Sequence, residues 1–295
     1  MNAKRIDKIA RYAIQTMVAI VALILLALLS YILINGLPNA SIDFIFKPSE
    51  AIKAGGGIRD QLFNSIYLLV LSMVISLPLA LGAGIYLAEF APNNWLTRLV
   101  KTLIEILSSL PSIVVGLFIY LLVVIKWQVG FSILSGAIAL TVFNLPLLTS
   151  SIQNAFEAVD HKQLEAGLAL GMSPWKTIKG VILPITVPSV VMAIILASGR
   201  IFGEAAALIY TSGQSAPRLD YGNLNPFSPT SPLNVMRPAE TLAVHIWKLN
   251  TEGLTADSDA VSAAASAVLI IVVLLFNLMA HYLGNKLERK LTGKK

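Results

Sequence analysis

The stretch Asp160–Pro184 reads DHKQLEAGLALGMSPWKTIKGVILP, a polar passage set between two long apolar runs. Its first part spaces Leu164, Leu168 and Ala169 for a helix and leaves Lys162, Gln163 and Glu165 as the more polar positions. Gly171 suits the left-handed residue that ends such a helix. Ser173 then offers a capping hydroxyl, and Pro174 takes a first helical position where no N–H is needed. A second helix carrying Lys176 and Lys179 is expected to run to Pro184, which opens the next apolar run. Short helix, tight turn, second helix: the segment reads as a stiff elbow. The small residues Ala166, Gly167 and Ala169 would let its first helix seat deeply in a partner's groove. The competing reading is a plain amphipathic helix lying on lipid headgroups.

The runs on either side set the class. Of 295 residues, 56% are hydrophobic and 13% charged, which excludes an ordinary soluble globular chain. A membrane-crossing helix needs about 20 apolar residues. Runs of that length at Ile14–Ile34, Leu62–Phe90, Leu99–Ile125, Phe131–Ile152, Ile185–Tyr210 and Ala260–Tyr282 predict an all-α, polytopic membrane protein with six transmembrane helices. The first run has a basic start like a signal peptide, but it is longer than a signal core and lacks a small-residue cleavage site, so an uncleaved anchor is expected.

Charge then predicts orientation. Of the 22 Lys and Arg, fourteen fall before the first run, after the last, or in the loops carrying Arg98, Lys101, Lys162, Lys176 and Lys179. Seven fall in the opposite loops: Lys47, Lys53, Arg59, Lys126, Arg218, Arg237 and Lys248. The positive-inside bias puts both termini and the elbow in the cytoplasm. The net charge of +6 is thus an orientation signal, and no soluble basic face suggests nucleic acid. There is no cysteine, and His161, His245 and His281 lack metal-ligand spacing. A phosphate-cradling Gly-x-x-x-x-Gly-Lys-Ser/Thr loop is absent too, so energy from ATP would have to come from another chain. No catalytic residue is assigned.

The chain divides into an N-terminal anchor with an irregular loop (1–61), a core (62–284) containing the elbow (160–184) and a long external loop (212–259), and a basic tail (285–295). Proline, serine and asparagine make the first half of that external loop read as disordered, while a helix is expected from Pro238 with Leu242, Ile246 and Leu249 on one face. The loop would serve as a lid over the pore mouth or as a docking ledge for a soluble partner.

Four runs carry a disturbing residue near their midpoints: Pro78, Pro111, Asn144 with Pro146, and Arg200. Proline frees a carbonyl that must face protein or water inside a bilayer. Ser108, Ser109 and Ser112, and Thr141 with Asn144, are expected to supply partners. Kinks in tightly packed helices would explain some of these prolines, but their common depth favours a central cavity. Arg200 stands out, because a charge near a bilayer centre costs about 2.5–3.5 kcal/mol even on the lenient scale. Its five donors suit a tetrahedral oxyanion. Glu204 lies one turn on, and an intrahelical ion pair is the structural alternative. A combined role has Glu204 holding the guanidinium until the anion displaces it. Gly199, Gly203 and Ala207, and the small stretch Ser262–Ala267, read as helix-packing stripes.

The elbow's spacing is Glu165-Ala166-Gly167, three residues, Gly171, nine residues, Val181, one residue, Leu183-Pro184. It resembles the cytoplasmic loop of permease subunits in binding-protein-dependent ABC importers, with Gly167 for the family's Ala and Val181 for its Ile. The resemblance implies a five-helix, MetI-like permease core plus an added N-terminal helix. The strings Leu107–Gly116 and Gly199–Ala206 look like those of phosphate-transport permeases of the PstA type. That resemblance implies a bacterial inner-membrane, non-catalytic subunit with a PstC-type permease partner, a dimer of PstB-type ATPases holding ATP and Mg, and a PstS-type external phosphate-binding protein. Their depth and chemistry make Arg200, Glu204, Asn144 and Ser112 the expected lining of the substrate pathway, and the elbow's resemblance implies that Glu165, Ala166, Gly167, Gly171, Leu183 and Pro184 couple to the ATPase. A permease for sulfate or molybdate is the nearest alternative. A gradient-driven carrier or a membrane enzyme would be of another class, but neither internal repeats nor a nucleophile constellation is evident.

Overall fold

Six apolar stretches become helices, and where each begins and stops follows from caps and prolines. The computed structural model describes residues 3–50, 54–215, 217–253 and 255–292, with no strand among them. Lys53, Lys294 and Lys295 of the charge count lie outside these residues. The helices are α1 (Ala3–Gly36), α2 (Arg59–Phe90), α3 (Trp95–Ser109), α4 (Ser112–Lys126) and α5 (Ile133–Glu157). The elbow helix α6 (His161–Ala169) leads to α7 (Pro174–Phe202), followed by the short α8 (Ala206–Ile209), α9 (Leu242–Glu252) and α10 (Ser258–Thr292). Among the described residues, five helices are long and apolar enough to cross a membrane, and α3 with α4 make a sixth, bent passage.

The helices α2, α5, α7 and α10 form the packed centre, α2 lying along α5 and α10 along α7. Leu68, Ala80, Leu140, Ile152 and Ile182 are fully or almost fully buried there. Close helix contact in lipid depends on small residues, since hydrocarbon is as apolar as leucine. A Cβ at Gly84 would lie 2.7 Å from Ile152 Cγ2, and one at Gly116 2.6 Å from Ala207 Cα. The anchor α1 stands apart and packs on α10, where a Cβ at Gly36 would strike the Ala263 carbonyl oxygen. The small stretch Ser262–Ala267 is what makes room for it.

Two of the expected spans are redrawn. The run Leu99–Ile125 is not one straight helix: it bends by 99° between α3 and α4, at Leu110-Pro111. Proline disfavours helical geometry in the residue before it, and Leu110 accordingly turns extended (φ −66°, ψ 137°). The run Ile185–Tyr210 also shifts. Its helix starts at Pro174 and stops at Phe202, so Arg200 occupies the last turn rather than the midpoint. Pro184 does not open a new helix. A wide turn over Ile178–Ile182, with the Leu183 N–H donating to the Ile178 carbonyl, gives the proline ring room inside a continuous helix. Pro188 is likewise carried within α7, and it was not singled out from the sequence.

The helix expected from Pro238 begins at Leu242, capped by Thr241 Oγ1 accepting the Val244 N–H at 3.4 Å. The described residues in the first half of the external loop are folded into turns. Asx turns at Asn223 and Asn225 and a bond from Asn234 Nδ2 to the Ser228 carbonyl (3.0 Å) hold them, and sequence composition cannot reveal such turns.

Candidate functional site

The elbow forms as its residues dictate. Asp160 caps α6 by accepting the Lys162 N–H at 3.0 Å. Gly171 takes φ +79°. Its N–H donates to Leu168 O (2.9 Å) while the Met172 N–H donates to Gly167 O (3.1 Å), the paired closure that ends a helix on a left-handed glycine. Ser173 Oγ accepts the Lys176 N–H at 3.4 Å, and Pro174 opens α7.

Side-chain direction corrects one expectation. Gly167 does not face a partner; it is buried against this chain's own Thr177, whose Cγ2 a Cβ at Gly167 would strike. The elbow is therefore locked by contact between its two arms. Glu165, Ala166, Leu168, Ala169 and Leu170 face outward, and Leu170 is 83% exposed. Trp175, also exposed, lies beside Phe90 with ring centroids 6.4 Å apart, tying the elbow to the end of α2. Leu183 and Pro184 are half-buried within α7. At the same end, Lys101 Nζ meets Glu157 Oε1 at 3.0 Å and fastens α3 to α5.

The pathway residues are divided by the fold. Arg200 is exposed on a face of α7 that this chain leaves open, with its guanidinium 4.4 Å from the centre of the Phe143 ring. Such a contact contributes about 0.5–2 kcal/mol, and the carbonyl end of α7 favours the cation further. The expected Arg200–Glu204 ion pair is absent among the described residues. Because α7 stops at Phe202, Glu204 leaves the helical face, and its Oε1 accepts the Ala207 N–H at 3.2 Å. The same break means that Gly199, Gly203 and Ala207 are not one stripe: Gly199 faces Phe276 of α10, and Ala207 meets Gly116 of α4.

Asn144 is buried between α2 and α5, its Nδ2 3.9 Å from Met73 Sδ and its Oδ1 without a protein partner. It is separated from Arg200 because successive helical residues point about 100° apart, so only Phe143 reaches the guanidinium. Thr141 Oγ1 donates to Ala137 O (2.7 Å) rather than to the carbonyl that Pro146 frees. Ser108 and Ser109 bond within α3, and Ser112 is half-buried at the start of α4 just after the bend.

A second polar centre, which sequence reasoning missed, lies at the opposite end from the elbow. Arg237 Nη2 donates to Asn64 Oδ1 (2.7 Å) and Pro232 O (3.0 Å) and is buried to 3% exposure. Burial holds its guanidinium below the ordinary value. Asn64 Nδ2 donates to the Glu240 carbonyl, and Gln61 Nε2 to Glu240 Oε2, both at 2.9 Å. Tyr221 donates to Asp60 Oδ1 (2.8 Å), and burial followed by that carboxylate pushes its phenol up. The external loop is thus sewn to the start of α2. Arg237 and Glu240 are two loop charges whose pairing with Asn64 and Gln61 crosses more than 170 residues, which no local pattern reports.

The sequence model described as "Binding-protein-dependent transport system inner membrane component" matches residues 80–293, which takes in the elbow, the open face and the whole external loop. The chain belongs to this family of importer permeases. It is 52% identical over 293 residues to a probable ABC transporter permease protein of Bacillus subtilis, covering 99% of this chain and 100% of that one. It is 34% identical over 233 residues to the phosphate transport system permease protein PstA of Yersinia pestis, covering 79% and 74%. Among solved structures, a chain of an alginate ABC transporter aligns with TM-score 0.62 at 13% identity, covering 97% of this chain and 96% of that one. A chain of the MetNI methionine transporter aligns at 0.56 and 19%, covering 78% and 94%. These two share the all-helical, MetI-like permease fold. This importer permease is therefore a multi-pass membrane subunit, and its elbow lies within the residues the family model matches.

Proposed function

We propose that this chain forms half of the translocation pathway of an ATP-driven importer of inorganic phosphate. The observation that carries the reading is Arg200, a guanidinium held by Phe143 and a helix end on a face this chain leaves open. A planar five-donor cation suits a tetrahedral oxyanion, and the absence of an intrahelical partner leaves those donors available. The PstA relative supports phosphate as that anion.

In this reading a PstC-type permease covers the open face and completes the pathway, with membrane lipid around both. A PstS-type external protein delivers phosphate, and a dimer of PstB-type ATPases binds ATP and Mg, with no cofactor in this chain. Both termini and the elbow are cytoplasmic. Closure of the ATPases on ATP draws the elbows together. The push enters at Glu165, Ala166 and Leu170, crosses the Gly167–Thr177 contact, and passes into α7, which carries Arg200 at its far end. The continuity of α7 from Pro174 to Phe202 gives that push a rigid lever.

The test is to co-purify the chain with its partners and measure ATPase stimulation and labelled-phosphate uptake with the external binding protein present. Phosphate should stimulate both, and excess sulfate or molybdate should leave uptake unchanged. Uptake abolished by sulfate or molybdate would transfer the assignment to that anion. Uptake that collapses with a protonophore at constant ATP would make the chain a gradient-driven carrier instead.

A further inference from the structure

The outward side of α10 changes from apolar to basic within a few turns. α10 runs antiparallel to α7: Gly199 faces Phe276, and a Cβ at Gly284 would lie 2.7 Å from Met192 Cε, so the carboxyl end of α10 stands on the elbow's side of the molecule. Ala280 and Gly284 are buried towards α7. On the opposite side Ile271, Leu275, Leu278 and Tyr282 form one exposed line at helical spacing, with Leu278 at 66% and Tyr282 at 63% exposure. Lys286, Arg289 and Lys290 continue that side past Tyr282, where the apolar run ends.

Lys286, Arg289 and Lys290 are exposed and make no ion pair among the described residues. Glu288 falls on another side of the helix, because successive residues turn by about 100°. With Tyr282 and Asn285 the three cations line a concavity of about 480 Å³. Lys286 Nζ lies 5.5 Å from the centre of the Tyr282 ring, which folds the ammonium back towards the apolar line. Nothing described covers this side: α1 meets α10 near its other end, at Ala263 and Ala267, and residues 7–28 of α1 are exposed. Three cations around one concavity call for an anion, and the apolar line running up to it calls for hydrocarbon. A neutral lipid would meet only the second demand, and a free anion only the first.

We propose that this side of α10 binds an anionic phospholipid, its headgroup phosphate held by Lys286 and Arg289 with Lys290 and the Asn285 amide beside them, and an acyl chain lying along Tyr282, Leu278, Leu275 and Ile271. The depth matches. Lys286 stands four residues past Tyr282, a rise of about 6 Å, and a headgroup layer is about 5–8 Å thick on each side of the hydrocarbon. Tyrosine suits the junction between the two layers, since its ring is apolar and its hydroxyl polar. The guanidinium fork of Arg289 matches two phosphate oxygens, while Lys286 and Lys290 act as point charges. The site needs only that the chain spans a membrane, so it stands apart from the substrate assignment.

The experiment places the full chain with its co-purifying subunits in phosphatidylcholine nanodiscs containing a trace of lipid with a photoreactive diazirine on one acyl chain. The tracer carries either a phosphatidylglycerol or a phosphatidylcholine headgroup on identical chains. After irradiation, mass spectrometry reads labelling of residues 271–282. A cation beside an anionic headgroup is worth about fivefold, so phosphatidylglycerol should label this stretch at least about fivefold more than phosphatidylcholine. Replacing all three cations (Lys286→Gln, Arg289→Gln, Lys290→Gln) should bring the two lipids level while leaving phosphatidylcholine labelling unchanged, which shows that α10 is still in place. Lys286→Arg with Lys290→Arg should keep the preference. Equal labelling by both lipids in the parent, or a preference that survives loss of the three cations, would overturn the proposal. So would no labelling by either lipid, which would assign this side of α10 to a partner subunit. Millimolar inorganic phosphate, set against chloride of equal ionic strength, separates the sources of the anion. A preference that persists in phosphate supports the lipid, and one lost only in phosphate would give the cations to the free anion and overturn it.

Discussion

Replacing Gly167 by alanine should loosen the elbow, and replacing Thr177 by alanine in the same chain should restore it. A Cβ at position 167 would strike Thr177 Cγ2 and sit 2.7 Å from Oγ1 and 3.1 Å from Cβ. Thr177 is fully buried and cannot swing away freely, because its Oγ1 donates to Ser173 O at 3.2 Å. Overpacking of this kind costs about 1–3 kcal/mol. With Thr177→Ala, only the 3.1 Å approach to Cβ remains, which a shift of a few tenths of an ångström relieves. The lost hydroxyl bond costs about 0.5–1.5 kcal/mol, partly offset by the better helix propensity of alanine. The readout is hydrogen exchange at the Gly171 and Met172 amides, whose bonds to Leu168 and Gly167 close the elbow. A loss of 1–3 kcal/mol is roughly a 5- to 150-fold loss of protection in Gly167→Ala, and the double variant should return to within about tenfold of the parent. Unchanged protection in the single variant, or a double variant no better than it, would refute the claim that the two arms lock through this contact.

Arg200→Gln should abolish anion uptake while leaving co-purification of the partner subunits unchanged, and Arg200→Lys should retain only part of it; full uptake in Arg200→Gln would remove the residue from the pathway. Arg237→Met should cost about 1–3 kcal/mol for each buried acceptor it leaves without a donor, Asn64 Oδ1 and the Pro232 carbonyl, seen as a lower thermal midpoint of the assembled complex. Asp257 Oδ2 accepts the Gly55 N–H at 2.7 Å, and that bond holds its carboxyl below the usual range. Because the folded value is depressed, the bond stabilises the backbone at Gly55 above the ordinary aspartate pKa and is lost as pH falls through the lowered one. Hydrogen-exchange protection of the Gly55 amide, corrected for intrinsic exchange, should fall in acid for the parent and be independent of pH over that window in Asp257→Asn.

The elbow was legible because its signals are local. Helix periodicity, a left-handed glycine and a Ser-Pro start act within four residues, and the backbone obeys them wherever the chain sits. The six apolar runs were legible for a related reason, since a bilayer demands length and apolarity from each segment separately. The bend at Leu110-Pro111 was signalled by proline, but proline alone does not say whether a helix kinks or stops: Pro78 and Pro146 sit inside continuous helices. That outcome depends on what neighbouring helices offer the freed backbone.

Sequence by itself determined an all-helical membrane chain with an importer-permease elbow, because propensity, capping and hydropathy are properties of short stretches. Tertiary structure alone decided which way the chemistry faces. It turned Gly167 inward onto Thr177, buried Asn144 on Met73, stopped α7 so that Arg200 found Phe143 rather than Glu204, and joined Arg237 and Glu240 to a helix start far upstream. Each of these depends on a contact between residues distant in sequence, or on the turn of a helix about its own axis, and neither quantity is written in a local pattern.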